Sequence, residues 1–224
     1  MAEFSKTELN KIKRGPKRAS YDEDEIWEII KDNFIAHLSF IYDGMAINLA
    51  MAYGIMDDKL IFHGSRKNRM LLSMVESGDA SLSIMNLDGL VLARSAFHHS
   101  VNYRSVILFG KLKVIEEKGA KMKALQSVID QMIEGRWNDL RPMNDKEFNS
   151  TLVVEFDIKS ASAKIRAEGV NDEKEDLNFP VWTGIIPIEQ IARNPQPDPD
   201  IRKSVLESKH IKNYYEEHRY KKQQ

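Results

Sequence analysis

A β-barrel decorated by helices, mainly β in content, is the fold class this sequence predicts. Short apolar runs follow one another along most of the chain. They are separated by Asp-Gly and Asp-Asp pairs, which are hairpin chemistry. Only two or three amphipathic helices lie among them, an arrangement that suits an antiparallel barrel. Strand–helix alternation and a GxGxxG motif are both missing, which disfavours a doubly wound nucleotide fold.

The elements follow in order. Residues 1–20 carry Lys11, Lys13, Arg14, Lys17 and Arg18 and read as a flexible basic arm. A helix starts near Asp22, with Ile26, Trp27, Ile29 and Ile30 on its apolar face. Strand-like runs come next: Ala36–Ile41, a turn at Asp43-Gly44, Ala46–Gly54, a turn at Asp57-Asp58, and Lys59–His63. A helix follows, ending near Gly78, with Leu71, Leu72, Met74 and Val75 as its apolar face. Ala80–Asn86 and Leu90–Ser95 read as a pair joined at Leu87-Asp88-Gly89, and Tyr103–Glu116 as a long strand broken once by Gly110. A helix over 117–134 places Met122, Leu125, Ile129, Met132 and Ile133 on one side, and Gly135 ends it. Thr151–Ile158 and Ala161–Ala167 are two more strands, and Phe179–Ile188 is a Pro-bounded apolar segment. The main domain thus spans 21–190. Residues 191–200 form a stiff Pro-rich linker, and 201–224 a charged C-terminal helix that includes Lys221 and Lys222.

Composition narrows the function. The chain has 224 residues, with 33 Lys and Arg against 34 Asp and Glu, so it is no obvious nucleic-acid binder. It has no cysteine, which excludes disulfides, thiolate catalysis and Cys-ligated zinc or iron–sulfur centres. Neither a membrane span nor a signal-peptide core is visible, and a cytoplasmic protein is expected.

The most informative segment is Leu60-Ile61-Phe62-His63-Gly64-Ser65-Arg66-Lys67-Asn68-Arg69. A buried strand runs into a tight turn at Gly64, with Ser65 as a good N-cap for the helix that follows. Arg66, Lys67 and Arg69 then fall in the first helical turn, where positive charge opposes the helix dipole by roughly 0.3–1 kcal/mol per group. A bound anion would reverse that sign, because free N–H groups and cations would converge on it. A solvated basic helix end is the alternative. Together with the rest of the chain, a bound phosphate is the better reading.

The second informative segment is residues 88–110. It is rich in Arg, His, Ser, Asn and Tyr between apolar strands, and such side chains need partners once covered. His98 and His99 read as adjacent strand residues on opposite faces, with no carboxylate cluster nearby, so no metal site is assigned. Backbone hydrogen bonding across an interface and substrate contact both remain open for them.

These segments resemble the pyridoxamine 5′-phosphate oxidase-like, FMN-binding split-barrel proteins. The similarity is greatest to the flavin-nucleotide-binding branch near the nitroimidazole-resistance reductases. It is carried by Phe62-His63-Gly64-Ser65 with Arg69, by residues 88–95, and by Phe97-His98-His99-Ser100-Val101-Asn102-Tyr103-Arg104-Ser105-Val106. Gly135-Arg136, Ser162-Ala163-Lys164 and residues 180–187 follow in order, so the resemblance covers about residues 15–190. It implies a six-stranded antiparallel, Greek-key-like split barrel with flanking helices, forming a homodimer with FMN in two interface clefts. It further implies that His63, Gly64 and Ser65 lie beside the phosphate or ribityl chain, and that Asn68 and Arg69 hold the phosphate. Arg104 is among the cofactor-binding residues it implies, and Ser105, the middle residue of Arg104-Ser105-Val106, would reach the isoalloxazine; strand Ile47–Ala50 would present backbone to the flavin edge through Ala50, and Trp182 would cover the ring from the partner chain. Trp182 reads equally well as a core aromatic.

The chain departs from the pattern in places. Ala46 and Ala50 stand where relatives are Pro-rich, Arg66-Lys67 is more basic than usual, and a substrate-binding Trp/Arg signature at the C-terminus is missing. Vitamin B6 oxidation is therefore not expected. An FMN-dependent oxidoreductase acting on a small molecule is the leading expectation, with a nicotinamide compound as a candidate electron donor. His98, His99 and Tyr103 are the substrate-side candidates. The alternatives are a flavin carrier or sensor without turnover, or a split barrel binding haem or a deazaflavin. A haem would take His63, His98 or His99 as axial ligand.

Overall fold

The computed structural model describes residues 2–202 and 204–220. Its elements are β1 (Ala19–Ser20), α1 (Glu23–Lys31), β2 (Ile35–Tyr42), β3 (Met45–Ala52), β4 (Gly54–Met56) and β5 (Lys59–Ser65). Then come α2 (Arg69–Ser77), β6 (Ala80–Leu92), β7 (Ser100–Val114), α3 (Lys118–Met132), α4 (Asp145–Ser150), β8 (Thr151–Arg166), β9 (Gly184–Pro187) and α5 (Lys209–His218). One antiparallel sheet runs β3-β2-β6-β7-β8-β5-β4, with β1 on β8 and β9 on β6. The fold is a split barrel with flanking helices. Six long strands (β2, β3, β5, β6, β7, β8) carry it, and the short β1, β4 and β9 add to their edges.

Alternating side chains of the long strands fill the barrel. Leu38, Leu60, Phe62, Leu82, Ile84, Val106, Leu108 and Phe156 are buried there with Ile26, Ile29 and Ile30 of α1 and Leu71 and Met74 of α2. Each contributes roughly 1.5–3 kcal/mol by leaving water. α1 begins where expected, with the Asp22 carboxylate accepting from Glu25 N at 3.0 Å. On α2, Met70 replaces Leu72 on the buried face, and Leu72 is exposed. A second, smaller core joins Ile61 and Val153 to α3, and it differs from the expected face. Ala124, Leu125 and Val128 are buried with Lys121, whereas Met122 and Ile129 are not. The helix turns this way because the backbone of β4 presses against it. A Cβ on Gly54 would lie 2.4 Å from Val128 N. Lys121 is tolerated because its Nζ donates to the carbonyls of Phe148 (2.9 Å) and Thr151 (2.7 Å).

Two predicted strand pairs are single strands. β6 runs through Leu87-Asp88-Gly89, where the register against β7 shifts instead of turning. β9 passes so close that a Cβ on Gly89 would lie 3.2 Å from Ile186 O. β8 likewise continues through 159–160, opposite a bulge at Phe109/Gly110. Glycine thus marked bulges, which share their sequence signal with turns.

The ends also differ from expectation. Residues 2–20 are anchored to the sheet at several points rather than forming a free arm, with Ala19–Ser20 paired to β8. Asn10 is buried, and its Nδ2 donates to the carbonyls of Ser5 and Ala161, both at 2.9 Å. Arg18 pairs with Glu168 at 2.7 Å. Among the described residues the C-terminal helix is α5, and its His210 ring lies over Gly135. Lys203 and residues 221–224, including Lys221 and Lys222 of the expected helix, fall outside the described residues.

Candidate functional site

The turn between β5 and α2 is built differently from the capping read in the sequence. Asn68, not Ser65, caps α2, its Oδ1 accepting from Leu71 N at 3.1 Å. The Ser65 hydroxyl accepts from Lys67 N at 3.2 Å, and its carbonyl accepts from Asn68 N at 2.8 Å. Asn is as good a cap as Ser, so composition alone did not separate them. Consequently Arg66 and Lys67 lie in the turn, and only Arg69 lies in the first helical turn. Gly64 leaves room for the capping side chain: a Cβ there would lie 2.8 Å from Asn68 Nδ2, so the amide would have to shift.

The electrostatics of this turn are uncompensated. Among the described residues Arg66, Lys67 and Arg69 have no carboxylate partner within 4.0 Å. Arg69 instead lies 4.1 Å from the centre of the Tyr42 ring, at the tip of the β2–β3 hairpin. Beside the turn, His63 Nδ1 is buried without a partner, and burial pushes this imidazole below its usual pKa. A neutral ring and three free cations together form a place suited to an anion with an uncharged neighbour.

From the hairpin tip, β3 leads to Ala50. β3 is the end strand of the sheet, so one row of its backbone groups faces away from any partner strand. Ala50 pairs with His37, His37 with Ser83, and Ser83 with Ile107; on the same face Met85 pairs with Ser105. Small side chains at Ala50, Ser83 and Ser105 leave this outward face flat. Exposed Ile41, Met85 and Ile107 give it an apolar border. His37 and Tyr42 were not singled out in the sequence. His37 holds an outward position within the buried–exposed alternation of β2, whereas Tyr42 ends the strand on the parity of buried Ala36, Leu38 and Phe40.

Several candidates are already satisfied inside the chain. The Ser105 hydroxyl donates to Lys164 O at 3.1 Å. Arg104 is held by Asp88 (3.2 Å) and Asp32 (2.6 Å), which raise its pKa further. His98 and His99 close a 3₁₀ turn (Ala96–His98) and are not strand neighbours on opposite faces. His98 Nδ1 meets the Ser95 hydroxyl at 2.8 Å, its Nε2 lies 3.5 Å from Glu173, and His99 Nδ1 meets the Ser95 carbonyl at 2.8 Å. Trp182 is not a core residue: it is 65% exposed, with its ring over Gly184.

One chain does not bring all these groups together. Ser65 pairs with Thr151 at one end of β8, and Tyr103 pairs with Arg166 at its other end. A strand of that length spans about 50 Å when extended. Among the described residues no group of three or more His, Asp or Glu is arranged to hold a bare metal ion, and no helix is long and apolar enough to cross a membrane.

The family model described as pyridoxamine 5′-phosphate oxidase matches residues 22–165. The chain belongs to the pyridoxamine 5′-phosphate oxidase family. Among solved structures, the flavocytochrome Anf3 from Azotobacter vinelandii superposes with a TM-score of 0.87 at 32% identity, covering 93% of this chain and 97% of that one. An FAD- and haem-binding protein from Mycobacterium smegmatis superposes with a TM-score of 0.83 at 27% identity, over 88% and 97% of the two chains. A 5-nitroimidazole antibiotic resistance protein from Bacteroides thetaiotaomicron shares the fold, with a TM-score of 0.57 at 17% identity over 66% and 86%. A search of curated proteins gives no match.

Proposed function

We propose that this protein is a homodimeric, cytoplasmic flavin-dependent oxidoreductase that also carries haem. The observation that carries this reading is the near full-length likeness to two proteins whose names join a flavin to a haem or cytochrome. The uncompensated cations of the β5–α2 turn support it at the residue level. Arg69 would make a charge-assisted contact with the flavin phosphate, beside Asn68, Ser65, Gly64 and His63. The edge of β3 around Ala50 would meet the ring, which the flat face at Ser105 would accommodate, and Trp182 of a second copy would cover it. Arg104 would act on this site through Asp88 and Asp32 rather than by touching the cofactor.

The separation of the two ends of β8 supports the dimer, because a second copy is what would place Tyr103 near the first copy's turn. The cofactor, when bound, supplies the electron chemistry. The protein supplies anion binding and a covered face, where a small molecule is reduced or oxidised. FMN is the form the sequence resemblance implies, and FAD is the form named for the M. smegmatis relative; both share the inner phosphate that the turn would hold.

The test is an absorbance spectrum of purified protein, with the released chromophores identified by mass. Flavin bands with a Soret band, and an FMN or FAD mass, are expected. A colourless protein that takes up neither added flavin nor haem would refute the proposal.

A further inference from the structure

We propose that His99 is the axial ligand of the haem, presented by the 3₁₀ turn that follows β6; this rests on the two-cofactor reading above. An imidazole ligates iron through one nitrogen while the other donates its proton, commonly to a backbone carbonyl, which fixes the tautomer and aims the ring. His99 has that arrangement. Its Nδ1 lies 2.8 Å from the Ser95 carbonyl, an oxygen that can only accept, so the proton resides on Nδ1 and Nε2 is left with its lone pair free. The ring is exposed.

Its surroundings suit a flat apolar macrocycle. Phe97, two residues away, is 90% exposed, an unusual state for so large an apolar side chain. The segment bearing Phe179, also largely exposed, is tied to the same turn at both ends. Asp172 holds Arg94 at 2.6 Å and Glu173 approaches His98 at 3.5 Å on one side, and Thr183 contacts Arg94 at 3.3 Å on the other.

The other histidines fit less well. His98 has both ring nitrogens engaged, by Ser95 and Glu173. His63 lies half-buried on β5, and His210 is packed over Gly135. His218 shares the carbonyl bond, to Tyr214, but its ring is stacked on Tyr214 at 4.2 Å. His37 is exposed on the outward sheet face, with no carbonyl to orient it. It is the competing ligand.

The experiment compares wild type with His99→Ala, His99→Cys and His37→Ala, each expressed with haem supplied and measured for haem per flavin and by ultraviolet–visible and electron paramagnetic resonance spectra. His99→Ala should lose about tenfold or more of its haem while keeping flavin, the retained flavin showing that it has folded. Added imidazole should restore haem binding. Should His99→Ala fail to fold, His99→Cys decides: in a chain with no other cysteine, a thiolate-type spectrum supports the assignment. Wild-type spectra and haem content in His99→Ala or His99→Cys would overturn it, as would loss of haem from His37→Ala alone. A wild-type protein that binds flavin but no haem overturns the two-cofactor reading itself, before any variant is made.

Discussion

Arg69 and Arg104 make an instructive pair. Both are arginines that the sequence places at a flavin, and both lie at the start or within the first half of a regular element. Arg104 is held by two carboxylates, from the end of α1 and from the bulge of β6. Among the described residues Arg69 has only the face of Tyr42. A guanidinium that spends its hydrogen bonds inside the chain braces the fold, and one that does not is free for a ligand. The same distinction separates the two turns of the candidate site. Among the described residues the 95–99 turn engages its imidazole nitrogens except His99 Nε2, whereas the 65–69 turn leaves three cations without a carboxylate.

The largest expected effect breaks this comparison directly. Arg69→Ala should weaken flavin binding by about 10- to 150-fold, the worth of a hydrogen bond to a charged group at ~1.5–3 kcal/mol. Thermal stability of the cofactor-free protein should barely change. Arg104→Ala should do the reverse, lowering stability by about 1 kcal/mol, a figure discounted because its ion pairs are partly solvated. Flavin affinity should then stay within about threefold of wild type. Fluorescence titration and thermal melts of both variants measure the four quantities. Equal losses of affinity would erase the distinction drawn here.

Next in size is Asn68→Ala, which removes the cap of α2. It should cost about 1 kcal/mol of stability, and Ser65→Ala only a few tenths, because Asn68 and not Ser65 bonds the helix N–H. Denaturant melts of the two variants would show which residue caps. The smallest effect concerns His63. Burial lowers its pKa, so as pH falls the unfolded chain takes up the proton before the folded one does. Stability is therefore full above the unfolded pKa of about 6.5 and declines as pH falls through the folded value. Melting temperatures of the cofactor-free protein should drop between about pH 7 and about pH 5. The drop should be shallower in His63→Gln; an identical profile would remove His63 as its source.

Much of the fold was legible because its signals are local. Ile26, Ile29 and Ile30 repeat at helical spacing, and the apolar runs of β2, β5 and β7 alternate or cluster as strands do. The failures share a cause: they depend on what another segment does. Gly89 and Gly110 have the composition of turns, yet β9 and Asp157 press against them and make them bulges within continuous strands. The basic arm looked free because its one buried anchor, Asn10, bonds to Ala161, 151 residues away. At the site, the run from His63 to Arg69 was visible as chemistry. Whether a given arginine was open depended on Asp32 and Asp88 against Tyr42, and no spacing rule brings those residues together. His37 escaped notice because a single histidine in an alternating strand has no neighbours in sequence to mark it.

The central claim is that the open cations of the β5–α2 turn hold the phosphate of a flavin. The most direct measurement is titration of cofactor-free wild type and Arg69→Ala with FMN and with riboflavin, which has the same ring and no phosphate. The account predicts that wild type prefers FMN by about a hundredfold or more, and that Arg69→Ala loses most of that preference while riboflavin binding is unchanged. Equal affinity of wild type for the two ligands, or a preference that survives in Arg69→Ala, would contradict it.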